Sequence, residues 1–398
     1  MNIQNASIVV TPNAYKAGKL YSLKPTNGSG DFDFTRSGNA TRVNSDGLIE
    51  LVTTNVPRLN YPLIDGVVNG CPSLLLEPAR TNLILYSEYN SGIFLIGANL
   101  TFDGYVTSPE GVQNAARFTS SASSASFIQI PNVTIPVGKF TFSMYVRGVS
   151  GSFTNTSLYI PSFTGSTATM NEAPVAGEDW KRVYGTGQNT GSSVTRTITL
   201  PFYDQPSGAT YEVYGFQLEG GGASYPTSYI PTSGTTATRS AETCNGAGDV
   251  NTFNDSEGVL FAEISALAND LTDRSLSLSS GYYNNRIEIR YNDSSNGIRV
   301  FGIVGGAFQF DSSSSLSLPN ITNQSKLAFK YKENNFALWV NGFEIYSDLF
   351  GSIFSEGVLN EIKFSDAQGA EPFYGNIKQI QYFNTALTDL QLQQLTTL

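Results

Sequence analysis

The sequence predicts an all-β protein built from two β-sandwich domains, and three observations predict it. Aromatic residues make up 12% of the 398-residue chain, and 25 Phe and 21 Tyr stand against 3 Met and 2 Trp, a bias toward side chains that suit pleated, half-buried surfaces. Charged residues are only 14%, with Gly, Ser, Thr and Asn between short apolar runs, as strands joined by tight turns require. Several of those runs alternate apolar and polar residues with a period of two. At roughly 100–200 residues per domain, the chain has room for two or three domains and a sizeable core.

Taken in order, residues 1–84 hold isolated apolar clusters, "SIVV", "LIELV" and "SLLLEP", separated by turn-rich text with Pro12, Pro25, Pro57, Pro62 and Pro72. So little periodicity cannot bury a core of its own, and the segment is expected to be extended and to lean on another domain or another protein. Residues 85–223 read as the first sandwich: "FTFSMYVRG" turns Phe140, Phe142, Met144 and Val146 inward, and "VTRTITLPF" and "YEVYGFQLE" keep the same period. Residues 224–254, opening with "SYPTSYIPTSGTTATRSAE", read as a linker. Residues 255–398 form the second sandwich. They contain "GVLFAEISAL", then "NRIEIRY" joined to "GIRVFGIVGG" through "NDSSN", then "KLAFKYKENNFALWVNGFEIYSD", where Asn341-Gly342 is the strongest hairpin signal. At the end, Thr388 and Gln391 form a capping-box pattern with Leu390, Leu392 and Leu395, which predicts one short C-terminal helix.

The same text excludes several classes of function. A net charge of -10 without a basic stripe argues against nucleic acid as a partner. No apolar run approaches the about 18 residues of a spanning helix, and the start has no basic-then-apolar leader, so neither membrane insertion nor secretion is expected. The chain has no histidine, which removes Ser-His-Asp and Cys-His nucleophile systems and His-based zinc sites. The carboxylate pairs Asp31/Asp33, Glu172/Glu178 and Asp270/Asp273 carry no signature around them and read as solvated surface, so no enzymatic activity is expected. Cys71 and Cys244 read as free thiols. No cofactor is expected; structural calcium stays open, with Asp103, Glu219 and Asp293 as candidate ligands.

Aromatic residues supply the candidate binding positions. Tyr282 and Tyr283 follow a glycine in the polar loop "SSGYYNNR", and with Asn284 and Asn285 they offer stacking and hydrogen bonds to a carbohydrate. Trp180 in "EDWKRVYG" has the chemistry of a sugar platform too, but a Trp beginning a strand is assigned to the interior of the first sandwich. Trp339, mid-strand, is assigned to the interior of the second.

The series "TPNAYKAGKLYSLKP", "FTRSGNATRVNSDGLIE", "NVPRLNYP" and "CPSLLLEPARTNL", with "TSYIPTSGTTATRSAE" at 227–242, resembles a family of bacteriophage virion proteins, the tail-fibre, head-fibre and related appendage proteins. The resemblance covers residues 7–86 and 216–243. It implies an anchoring or packing N-terminal segment around a jelly-roll domain similar to carbohydrate-binding modules. Residues 255–398 resemble a concanavalin A-like or laminin-G-like sandwich through "GVLFAEI", "ALWVNGFEI", "GNIKQIQYFN" and "ALTDLQLQQL", without the Glu-x-Asp-x-x-Glu of glucanases on that sandwich. By implication the chain is a virion structural protein that attaches to other virion proteins, displays glycan-binding domains toward host surface polysaccharide, and forms a homo-oligomer, a trimer as in phage fibres. Arg36 and Arg42 are then expected to pair, through planar donor forks, with acidic groups or carbonyls of a neighbouring domain or subunit. Two alternatives remain open: a capsular polysaccharide depolymerase working with carboxylates, and a purely structural capsid decoration.

Overall fold

Alternation decides the first sandwich. In the computed structural model, which describes residues 5–64, 66–292, 294–313 and 316–398, strands Leu100–Thr107, Gln113–Ser120, Thr210–Glu219, Gly138–Ser150 and Lys181–Asn189 lie side by side in one antiparallel sheet. A three-stranded sheet of Leu95–Ile96, Ile128–Ile135 and Val194–Thr199 faces it. Phe140, Phe142, Met144 and Val146 are buried between the sheets beside Phe118, Ile130, Val183 and Ile198. Ser143, Tyr145 and Arg147 therefore point away from that core, because successive side chains of a strand take opposite faces.

The second sandwich is assembled from both ends of the chain. One of its sheets runs Phe343–Asp348, Phe336–Val340, Ser325–Lys332, Glu257–Ala266, Gly375–Phe383, Ser73–Leu76 and Leu59–Asn60, with Ile8–Val10 also paired to Gly375–Phe383. The other places Lys19–Leu20, Phe32–Thr35 and Thr243–Ala247 next to Glu361–Lys363, Arg274–Ser279, Arg286–Tyr291, Gly297–Val304 and Ala307–Asp311. Ile8, Val10, Leu20, Phe32, Phe34, Leu74 and Leu76 share one core with Leu260, Ile287 and Phe329. The N-terminal segment, expected to be extended and to lean on another domain or another protein, here contributes strands to the second sandwich. Its strands are only two to four residues long, too short to show a period, yet each completes a sheet whose periodic strands lie elsewhere in the chain.

Residues 224–254 likewise differ from a linker. Tyr225, Tyr229 and Ile230 are buried, and Thr243–Ala247 is an interior strand between Phe32–Thr35 and Glu361–Lys363. The prolines fix the path of a strap that lies on the first sandwich. Where the two sandwiches meet, Arg80–Asn82 pairs antiparallel with Ala237–Arg239, Arg80 opposite Arg239 and Asn82 opposite Ala237. The chain thus enters and leaves the first sandwich side by side, and the first sandwich is an insertion within the second.

The C-terminal helix Asp389–Thr396 carries the reciprocal Thr388–Gln391 capping box, and Leu392 and Leu395 pack against Val259, Phe261 and Ala328. Trp339 is half-buried beside this cluster. None of the described helices is long and apolar enough to cross a membrane.

Candidate functional site

The residues that carry the N-terminal motif series converge on one buried ion cluster. Glu242 accepts from Arg36 Nη1 at 2.9 Å, from Arg58 Nε at 2.8 Å and from the Glu77 backbone N–H at 3.0 Å, with Arg58 Nη2 on its second oxygen. Glu77 receives Arg58 Nη1 at 2.7 Å and Arg239 Nη1 at 2.9 Å, and Ser228 donates its N–H and hydroxyl to it, each at 2.7 Å. All five charged side chains are at most 4% exposed. Burial alone would push the Glu77 carboxyl up; Arg239 and Arg58 outweigh it and hold Glu77 at about 2. Burial pulls the Arg36 and Arg239 guanidinia down.

Arg36 also donates to the carbonyls of Gly38, Val56 and Thr53, and Arg42 donates to Glu50 at 2.5 Å and to the Tyr15 hydroxyl at 3.0 Å. The forks thus meet the carboxylates and carbonyls expected of them, but within their own chain. The expectation named a neighbouring domain or subunit; these partners lie in the same chain, with Arg36 fully buried and Arg42 engaged on both sides.

The predicted loop at the tip of the second sandwich is a mixed case. Tyr282 is 68% exposed. Tyr283 donates its hydroxyl to Asp366 at 2.8 Å, which pushes that hydroxyl up, and its ring lies under the Arg286 guanidinium, 4.7 Å away. The Asn285 side-chain oxygen accepts the Gly305 N–H at 2.9 Å, and the Asn284 carbonyl accepts the Gly306 N–H at 3.0 Å. Tyr283 and Asn285 are therefore committed to holding the loop, with the Tyr283 ring still 40% exposed, and Tyr282 is the more exposed ring. Of the candidate calcium ligands, Asp103 accepts from Thr119 Oγ1, Glu219 accepts from the Thr227 N–H and hydroxyl, and Asp293 lies outside the described residues. Among the described residues no group of three or more Cys, Asp or Glu side chains comes together as a cation site.

A second arrangement is better built. A cleft of about 670 Å³ opens where the first sandwich meets the ribbons of the N-terminal segment, Ala40–Val43 with Ile49–Val52 and Leu63–Ile64 with Val67–Val68. Tyr145, Trp180, Lys181, Arg182, Tyr61 and Tyr229 line it, with Glu172 and Asp179. Strand register builds the wall. Tyr145 lies opposite Arg182 and Val146 opposite Lys181, so the outward-facing Tyr145 and Arg147 stand across from Arg182 and Trp180. The Arg182 guanidinium stacks on Tyr145 at 5.5 Å, and the Arg147 guanidinium on Trp180 at 5.1 Å. Arg147 is in turn anchored at 2.6 Å to Glu212, a fully buried carboxylate that also takes Arg117.

Both rings are held from behind by a small apolar cluster of Ile49, Ala115, Tyr214 and Tyr229, and burial pushes the Tyr145 hydroxyl up. Lys181 is neutralised by Glu172 at 3.2 Å and Glu178 at 2.6 Å. Asp179 accepts the Trp180 N–H at 2.7 Å. The Leu63–Val68 ribbon approaches closely enough that a Cβ at Gly66 would lie 2.7 Å from Asp179 Oδ2. The assignment of Trp180 to the sandwich interior is corrected. Counting by twos from the buried Val183 puts residues 180, 182 and 184 on the opposite face, a signal that was available in "WKRVYG".

Rigid rings ringed by donors and acceptors suit a ligand with apolar faces and hydroxyl edges. No family model and no curated protein matches the chain. Among solved structures it is similar to the CBM40 of the Ruminococcus gnavus IT-sialidase bound to α2,3-sialyllactose, at 19% identity and TM-score 0.31, covering 36% of this chain and 84% of that one. It is also similar to domain 4 of AbnA, a GH43 extracellular arabinanase from Geobacillus stearothermophilus, in complex with arabinotriose, at 17% identity and TM-score 0.33, covering 45% of this chain and 83% of that one. A third is the binding domain of botulinum neurotoxin serotype G, at 12% identity and TM-score 0.22, covering 79% of this chain and 50% of that one. Overlaps this shallow assign no ligand to this chain.

Proposed function

We propose that this chain is a structural protein of a bacteriophage virion, a head or tail appendage that attaches to other virion proteins as a homo-oligomer and binds host-surface polysaccharide through the Trp180 cleft without cleaving it. The observation that carries glycan binding is the pair of half-buried rings, Trp180 and Tyr145, each backed by a guanidinium in one cleft. Such rings lose little conformational freedom when a pyranose face stacks on them. The virion part rests on the motif series, whose charged residues Arg36, Arg58, Glu77, Arg239 and Glu242 are those of the ion cluster between the sandwiches. Binding without cleavage is favoured because Glu172 is tied to Lys181 and Asp179 to a backbone N–H, a poor starting point for a general acid. Weak single sites gain strength when repeated on one particle.

The test is adsorption. Purified native oligomer is expected to block attachment of the parent phage, host capsular glycan to relieve the block, and Trp180→Ala to weaken glycan binding by about tenfold or more, a loss of roughly 1.4 kcal/mol. A folded oligomer that neither binds glycan nor blocks attachment overturns the reading. Release of reducing ends from capsule overturns its non-cleaving part.

A further inference from the structure

We infer that the ligand of this cleft is an acidic glycan, and that Arg182 is the residue that reads its anionic group. The inference rests on the cleft being a glycan site and goes on to name the class of glycan.

The argument is an inventory of the cations at the cleft. Arg42 is paired with Glu50 at 2.5 Å, Lys181 with Glu172 and Glu178, and Arg147, behind Trp180, with Glu212. Arg182 has no carboxylate within ion-pair distance among the described residues. Among those residues its hydrogen bond runs from Nη2 to Ser143 Oγ at 3.1 Å, and its Nε is buried with no acceptor among them. In a chain with 33 acidic and 23 basic residues, a cation left without an acid runs against the composition. A guanidinium fixed by a ring face on one side and a hydroxyl on the other is also pre-organised, so little freedom is lost when an oxyanion docks. Its planar fork matches the two oxygens of a carboxylate or sulfate.

The acids of the cleft limit where such a charge can go. Of the three acids lining the cleft, Glu77 is already paired with Arg58 and Arg239, whereas Glu172 and Asp179 belong to the Trp180 end, and like charge placed against them is unfavourable. The arrangement therefore fits a glycan with an acidic group beside Arg182 and a neutral unit stacked on Trp180, rather than a polymer charged on every unit.

The experiment uses the full-length native oligomer on an array of neutral, uronate-bearing, sialate-bearing and sulfated oligosaccharides. The strongest acidic ligand is then titrated beside its carboxyl-reduced or desulfated form. Acidic oligosaccharides with interspersed neutral units are expected to bind best, at least about tenfold more tightly than the neutralised form. Arg182→Gln is expected to bring that ratio close to one by weakening the acidic form far more than the neutralised form, which loses only the support Arg182 gives the Tyr145 ring, and Trp180→Ala to weaken both forms alike. Retained binding of the neutralised form by Arg182→Gln also serves as its folding control. Binding confined to neutral sugars, or an acidic preference that survives Arg182→Gln, overturns the inference and leaves the glycan reading standing. An array with no ligand at all overturns both. The uronate, sialate and sulfate arms separate the possible sources of the charge.

Discussion

Glu77 shows how much one residue's environment decides. In the unfolded chain its carboxyl titrates near the ordinary Glu value; in the fold Arg239 and Arg58 hold it at about 2 despite burial. A carboxyl whose pKa is depressed by folding adds stability that is complete above its unfolded pKa and is lost as pH falls toward the folded one. The urea midpoint is therefore expected to fall between pH 5 and pH 2, and to fall by less in Glu77→Gln; equal slopes in the two proteins would show that another group governs acid unfolding. The partners of this residue were not legible in the sequence. Ser228, which donates its N–H and hydroxyl to Glu77, is 151 residues away, and nothing local says that they meet. Residues that read by parity were legible: Val146 inward and Tyr145 outward follow from one strand period, and Trp180 falls on the outer face by the same count.

Elements with enough length declared themselves. The turn between Phe336–Val340 and Phe343–Asp348 places Asn341 at φ 50° and Gly342 at φ 90°, both in the left-handed region that an Asn-Gly pair adopts at low cost. Gly342→Ala is expected to cost about 1 kcal/mol or more, read as a lower denaturant midpoint with an unchanged m-value. A neutral result would mean that the turn relaxes into another form. The capping box at Thr388 was equally readable, because its two hydrogen bonds join residues three apart. The strands of the N-terminal segment were not. Two to four residues carry no period, and their burial comes from neighbours contributed by the far end of the chain.

At the scale of the whole molecule the insertion governs what folds with what. The second sandwich draws Ile8, Phe32, Leu74 and their neighbours into its core from before the first sandwich and closes its larger sheet with Phe32–Thr35 next to Thr243–Ala247. A fragment of residues 255–398 alone leaves those positions empty, and it is expected to lack a cooperative thermal transition by circular dichroism. Residues 1–82 joined by a short turn to 237–398 are expected to regain one, because Asn82 and Ala237 are already neighbours across the neck. A cooperative transition in the short fragment would show that the N-terminal strands are dispensable.

By itself the sequence determined the all-β class, the inward and outward faces of the long strands, the Asn-Gly hairpin and the capped helix. Each of these is set by residues within a few positions of one another, where backbone geometry and side-chain period act directly. The tertiary structure alone decided that the N-terminal segment belongs to the second sandwich, that three arginines and two glutamates close on one another, and that Tyr145, Trp180 and Arg182 share a cleft with the 61–68 ribbon. Those outcomes depend on contacts between residues scores to hundreds of positions apart, where chain topology chooses the partner and no local pattern records the choice.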